Sequence, residues 1–550
     1  MKKITLLFAL LGSFLFVNGQ ITNEGKPVSW TLENRAASTP VIMPAIDLET
    51  LQAEDAINDT KFDAPWRFGD EIMVNLNLEN DGVWDELPNG DGVWRLNIVS
   101  LGAKTMNFIF DKYKVPPGAT LYIYNDDHSD LLGAYTNTFN RDDMLLGTWM
   151  IDGDNVWIEY YEPNAVRGQG QLSLLKVVHG YRSVSQFEVN AKALNDSGSC
   201  NHDVDCTVGG DFDPLKEDLK RSVAMFILGG GVCSGALVNN TNNDKAPYFL
   251  SANHCNSGSP GSWAFRFNWR SPGISCGTSA NSANGGFNQT TSGATRLATN
   301  SESDVMLVNI DSSLPDAWNL VWAGWNRSTT AVPNFTVGIH HPSGDIMKVC
   351  RDDESPFKSA ISFNGNPSTE MWVISGSGFG GGDGWDIGVT EGGSSGSPLF
   401  NQAGLIVGQL AGGAAACSGT NDNGDFDVYG RFDKSWNFGT TDSTRLSNWL
   451  DPSGTAGDTL ATLATEDFQF SASLSIFPNP ASDFLNVVNF NGNDLRYEMY
   501  SVLGQVIKRG DLSAVNNVIN VTDLSEGMYF IKIVDGLNDA SVTKKIIISK

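Results

Sequence analysis

The chain has 550 residues, including 58 Gly and 15 Trp, and a formal net charge of -27. That length exceeds one ordinary domain, so several folded units are expected, and the aromatic content excludes a disordered polymer. The acidic balance argues against nucleic acid or an anionic membrane as partner, so no nucleic-acid contact is expected.

The N-terminus reads MKKITLLFALLGSFLFVNGQ: two lysines, an apolar run from Ile4 to Phe16, then the small-residue exit Val17-Asn18-Gly19. This is the layout of a secretory signal, so residues 1–19 are expected to be removed on export. The run is shorter than the ~18 residues a spanning helix needs, and stable membrane insertion is not expected. Thiols of this chain then meet an oxidising environment.

Residues 20–192 contain no cysteine and read as β-rich, with alternating stretches VWRLNIV (93–99), MNFIF (106–110), TLYIY (120–124) and NVWIEYY (155–161). Turn signals separate them, which suggests a sandwich. DGVW recurs at 81–84 and 91–94, a hairpin-scale spacing and not a solenoid repeat. Residues 193–456 hold every cysteine and most Gly-Ser loops, and read as a long all-β domain. Its best helix signal is STRLSNWLDP (443–452), with Ser443 or Thr444 as caps and Pro452 as stop. A polar bridge, 457–473, leads to residues 474–550, a set of short alternating strands split by NP, NG, LG and EG turns. These predict a small β-sandwich with neither His nor Cys, hence without catalysis.

The middle region carries the chemistry. Its seven cysteines are Cys200, Cys206, Cys233, Cys255, Cys276, Cys350 and Cys417, with no CxxC pair to suggest structural zinc. No metal or other cofactor is expected. His254 lies in YFLSANHC at the end of an apolar run, beside Cys255. Cys233, in GGVCSGALVNN, could be tied to Cys255 and fix the backbone a general base requires. Asp304 heads the apolar run VMLVNI, where a carboxylate is costly unless hydrogen-bonded. Gly393 and Gly396 flank Ser394 and Ser395, in a loop able to turn N–H groups toward an oxyanion. Singly, each reading has an ordinary structural alternative: a buried histidine, a turn cap, a flexible linker. Together the chain order His254, Asp304, Ser395 is the chymotrypsin-type order, and no G-x-S-x-G elbow occurs.

ANHC and GSSGSP resemble the histidine and serine blocks of trypsin-like serine peptidases. CNHDVDC, CSGALVNNT, NLVWAGWNR, GIHHP, VTEGGSSGSPLF, VGQLAGG, DVYGRF and RLSNWLDP resemble, in order, the bacterial lysyl endopeptidases over about 198–456. The resemblance implies a mostly β fold: a trypsin-like double β-barrel flanked by a β-rich prosegment and the small sandwich. It implies Ser395 as nucleophile, His254 as base, Asp304 as its orienting partner, and N–H groups of Gly393 and Ser395 as the oxyanion hole. Ser394 stands where trypsin-like zymogens keep an activating Asp, so activation by removal of a covering prosegment is expected. Val389 stands where trypsin has its pocket-floor Asp; the resemblance instead puts Asp427, with Gly412, at the substrate pocket, a placement suited to Lys. It also implies disulfides Cys200–Cys417, Cys206–Cys276 and Cys233–Cys255, leaving Cys350 free, whereas six cysteines by themselves allow 15 connectivities. The family's histidine after the nucleophile is replaced by Ala411 in this sequence, and its stacking Trp by a residue near Phe363.

A Lys-specific enzyme could release its own prosegment at Lys192–Ala193. The C-terminal sandwich resembles the type A sorting domain of bacterial type IX secretion, through FPNPASD, VLGQVI, LSEGMYFIKI and KKIIISK. The expectation is therefore a monomeric serine endopeptidase, secreted or surface-attached, acting on proteins and peptides, with the type IX machinery as partner. The competing readings are Arg specificity, or a secreted adhesin with an inactive peptidase-like domain.

Overall fold

The computed structural model describes residues 23–550 apart from 24, 62–63, 183–196, 280–281, 283–288, 364, 464–473, 490–492, 503–504, 514–516 and 537–540. The signal segment 1–19, the cut site at Lys192 and most of the 457–473 bridge lie outside the described residues. The chain divides into two compact units, residues 1–318 with 323–461, and residues 319–322 with 462–550.

In the first unit, the N-terminal part has a 3-10 turn, Val28–Thr31, and a short strand, Val41–Ile42, before helix α1, Leu48–Asn58. Asp47 caps it by accepting the Thr50 N–H at 3.1 Å, with Glu49 in the first turn. No apolar period announces this helix, because Leu48 and Ile57 are 42% and 59% exposed. Strand β1, Trp66–Arg67, follows. The rest is two antiparallel-dominated sheets of six and five strands, whose inner residues, including Ile98, Phe108, Ile123, Ile158 and Val177, share one core. The DGVW repeat is the hairpin its spacing suggests, since Trp84 faces Trp94 across paired strands. Met225, Ile227, Val232, Trp269 and Ile346 of the middle region belong to the same core. The two parts thus share one apolar core at that face.

The middle region begins with β2 (Val223–Leu228), β3 (Gly231–Leu237), β4 (Tyr248–Ala252), β5 (Ala264–Phe267), β6 (Thr290–Ser292), β7 (Ala294–Asn300) and β8 (Val305–Ile310). They pair in the order β6-β5-β2-β3-β4-β8-β7. The two edges, β6 and β7, are halves of one segment interrupted only by Gly293 (φ +88°), so the sheet closes on itself as a barrel. Phe226, Phe249 and Phe265, all fully buried, fill its interior ring against ring. A second sheet follows: β9 (Thr336–His340), β10 (Lys348–Asp352), β11 (Phe357–Ile361), β12 (Thr369–Ile374), β13 (Pro398–Asn401), β14 (Ile406–Gly413) and β15 (Asp427–Arg431). Its order is β10-β9-β13-β14-β15-β12-β11, antiparallel along this path.

The expected helix at 443–452 is broken. A 3-10 turn at Asp442–Thr444 is followed by extended Arg445 and a short helix, Ser447–Leu450. Extending Arg445 buries Leu446 completely and lets its N–H reach the Ser435 carbonyl at 3.2 Å. Burial of that leucine outweighs the gain from one continuous short helix, and Ser443 and Thr444 do not cap it. The second unit pairs three strands in one sheet and four in another, around Leu485, Met499, Ile531 and Ile533.

Candidate active site

The barrel and the second sheet bring their loops together at His254, Asp304 and the 391–397 loop. β4 runs out at Ala252, and a single 3-10 turn, Asn253–Cys255, lifts His254 from its end. The Cys233–Cys255 disulfide anchors that turn to β3. Asp304 immediately precedes β8 with φ +53°, a left-handed conformation that Asp tolerates better than most residues. Its Oδ1 accepts the His254 backbone N–H at 2.8 Å, and its Oδ2 meets His254 Nδ1 at 2.7 Å. Two bonds to one residue fix both the position and the ring orientation of the histidine. Asp304 is 1% exposed, and burial pushes its carboxyl above the ordinary value while the His254 contacts oppose that rise. His254 Nε2 is buried and has no hydrogen-bond partner among the described residues, so the bond to Ser395 Oγ that a nucleophile–base pair would use is not formed here.

Ser395 sits between the two sheets. Its carbonyl accepts the Ser234 N–H from β3 at 2.9 Å, while the next N–H, of Gly396, bonds to the Leu410 carbonyl on β14 at 2.9 Å. Gly393 (φ +91°) and Gly396 (φ +81°) hold backbone angles that a side chain would strain. Among the described residues, neither the Gly393 nor the Ser395 N–H donates to a protein group. Ser234 Oγ bonds the Gly393 carbonyl at 2.9 Å and turns it away. Two undonated N–H groups beside a serine hydroxyl are what an oxyanion formed on that serine would require.

Ser394 is fully buried, and its Oγ lies 2.7 Å from His340 Nδ1. Burial drives His340 down to about 3, so this pair is neutral near pH 7. The position carries no ion pair of the zymogen type, consistent with its lack of a carboxylate. Glu391, in the same loop, accepts the Gly198 N–H at 2.9 Å and Asn201 Nδ2 at 3.1 Å, tying the loop to the start of the middle region.

Asp427 is 1% exposed at the start of β15 and paired with Gly413 of β14. Its Oδ2 accepts Trp385 Nε1 at 2.8 Å and Thr390 Oγ1 at 2.7 Å, while Oδ1 has no partner among the described residues. Burial pushes the carboxyl up to about 7. Thr390, Gly412, Gly413 and Ser395 line one cavity of about 360 Å³, and the Asp427 carboxylate lies directly behind its Gly413 wall. Val389 is fully buried and offers no charge there.

The disulfides are Cys200–Cys417, Cys206–Cys276 and Cys233–Cys255, with Cys350 free and buried. Replacing both Cys233 and Cys255 with serine is expected to lower stability by about 2–3 kcal/mol, measured by urea unfolding. Unchanged stability would mean the strand pairing alone fixes this turn. The Phe363 ring lies 6.1 Å from the His254 ring, and Phe363 shares a small buried cluster with Met371, Ala411 and Val428.

Gln409, Thr390 and His340 lie in blocks that carry the resemblance, but they and Trp385 were assigned no role from the sequence. Fully buried Gln409 donates through Nε2 to the carbonyls of Ser303 at 2.8 Å and Asp304 at 3.2 Å. A glutamine inside the apolar run LIVGQL was the available signal, since a buried amide needs a hydrogen-bonding partner.

Residues 194–430 match the family model described as the lysyl endopeptidase C-terminal domain, and residues 475–549 match that of a secretion system C-terminal sorting domain. A lysyl endopeptidase of Pseudomonas aeruginosa is 28% identical over 291 residues, which are 50% of this chain and 59% of the relative. The chain therefore spans less than two thirds of that relative's length. Among solved structures, a protease of M. tuberculosis H37Rv in an inactive form gives a TM-score of 0.26 at 14% identity, covering 40% of this chain and 84% of that one. Kallikrein-related peptidase 10 gives 0.25 at 13% identity, covering 39% and 91%.

Proposed function

We propose that this chain, which carries a lysyl endopeptidase-like serine peptidase domain and a secretion sorting tail, is an exported endopeptidase that cuts after Lys. The observation that carries the reading is the Asp304–His254 pair, closed on one ring nitrogen at 2.7 Å and unpartnered on the other, beside a loop with two undonated N–H groups. Ser395 Oγ attacks the scissile carbonyl as His254 Nε2 takes its proton. The oxyanion receives the Gly393 and Ser395 N–H groups, and Asp304 stays ionised to hold the imidazolium. His254 then protonates the leaving amine, and water attacks the acyl-enzyme by the same proton route in reverse.

Asp427 supports a cationic side chain in the pocket. Its unpartnered Oδ1, behind Gly413, offers one compact acceptor, which suits an ammonium more than a forked guanidinium. The sorting tail sends the folded enzyme out of the cell through the type IX machinery. Residues 20–192 act as a prosegment, cut at Lys192–Ala193 by the enzyme itself; the family match begins at Leu194. Peptide mapping of a denatured protein digested by the matured enzyme tests the specificity. Cuts confined to Lys support it, and cuts spread over Arg or neutral residues would refute it.

Gln409 acts on the reaction only through Asp304. Gln409→Leu is expected to lower kcat about tenfold, the effect of losing a buried hydrogen bond, with KM unchanged. Steady-state kinetics on a Lys peptide checks this, and a purely raised KM would remove Gln409 from the positioning role.

A further inference from the structure

Strand β1 of the N-terminal part lies in the candidate active-site cleft. It pairs antiparallel with the start of β3, Trp66 opposite Val232 and Arg67 opposite Gly231. Pro65, Trp66 and Arg67 line the same cavity as Ser395 and Gly393. The Ser395 loop is bonded to β14 on one side and to β3 on the other. A peptide crossing the cleft with its Lys toward Asp427 follows β14 on the acyl side, so the segment beyond the cut bond reaches β3. β1 therefore occupies the leaving-group half of the cleft as an added strand.

The indole of Trp66 rests on Gly392. A Cβ built on Gly392 would fall 2.4 Å from Trp66 Cδ1. Unlike Gly393 and Gly396, Gly392 does not have a left-handed φ. Glycine is required there by the approach of the ring, not by the backbone. The strand is held down by Asp55, 2% exposed on α1, which takes Arg67 at 2.7 Å, Arg182 at 2.9 Å and the Tyr181 hydroxyl at 2.7 Å. The Arg182 guanidinium lies 4.8 Å from the centre of the Trp66 ring.

We infer that the surface over Gly392 is a subsite for an aromatic side chain on the leaving-group side of the cut bond, and that Trp66 fills it until the prosegment departs. The inference rests on the endopeptidase reading above. A substrate that places Trp, Phe or Tyr there gains the contact Trp66 makes, while its backbone replaces β1 on β3.

The test uses the matured enzyme and peptides that vary the three residues after a fixed Lys. An aromatic residue at one of these positions is expected to raise kcat/KM at least fivefold over Ala, and Gly392→Ala is expected to abolish that advantage. No aromatic preference at any of the three, or one that survives Gly392→Ala, overturns the subsite. An enzyme that cleaves no peptide in the set overturns the endopeptidase reading and the subsite with it. Trp66→Ala gives the second measurement, made in a full chain kept unprocessed by Lys192→Ala. Fluorophosphonate labelling of Ser395 is expected to rise at least tenfold, and labelling unchanged from the Lys192→Ala chain would overturn the occupation of the site by Trp66.

Discussion

Ser395→Ala is expected to lower kcat about 10⁶-fold, the scale on which a serine peptidase loses its nucleophile, with KM little changed. Fluorophosphonate labelling should vanish, and on the proposed self-processing at Lys192 the purified chain should keep its prosegment. Normal maturation of the pure variant would separate processing from this site. Asp304→Asn is the matching change at the other end of the relay, expected to cost about 10⁴-fold in kcat by favouring the wrong histidine tautomer. Asparagine accepts the left-handed backbone at φ +53° as readily as aspartate, so that loss would report chemistry and not misfolding. Activity of the Asp304→Asn variant within tenfold of wild type would rule out Asp304 as the orienting group.

Asp427→Ser is expected to lower kcat/KM for Lys peptides by about 10³-fold, since removing one partner of a buried ion pair costs about 3–5 kcal/mol. Peptides with a neutral residue before the cut should be nearly unaffected, so the preference for Lys collapses. A variant that still prefers Lys would refute the pocket assignment. The pH dependence gives an independent check. Burial holds Asp427 at about 7, and an ammonium bound beside it would favour the ionised form. Binding below that pH must therefore release a proton, so KM for Lys peptides should fall by up to about tenfold per pH unit as pH rises toward 7, then level off. With Asp427→Ser this slope in KM should disappear. A slope that persists in the variant would trace it to another group.

The catalytic candidates were legible in the chain because each sits in a short motif whose local backbone is fixed by nearby residues. His254 follows a strand and adjoins a cysteine, Asp304 heads a strand, and Ser395 is flanked by glycines with positive φ, all readable within a few positions. The mostly β architecture was equally legible, because alternation of apolar residues is a local property. Helix α1 was missed because exposed Leu48 and Ile57 erase its period, and the helix at 443–452 was misjudged because Leu446 is claimed by a distant carbonyl of Ser435.

What the chain order determined was the mostly β architecture and the candidate residues His254, Asp304, Ser395 and Asp427, though not the polar groups around them. What only the tertiary structure decided was how these groups are held and what covers them. The bond from Gln409 to the Asp304 carbonyl, the unpartnered Asp427 oxygen behind Gly413 and the Trp66 ring on Gly392 each join residues about a hundred or more positions apart along the chain, or on different paired strands. No local propensity encodes such pairs. They arise when burial of the shared cores sets strand registers, and the register then fixes which polar atom and which ring meet.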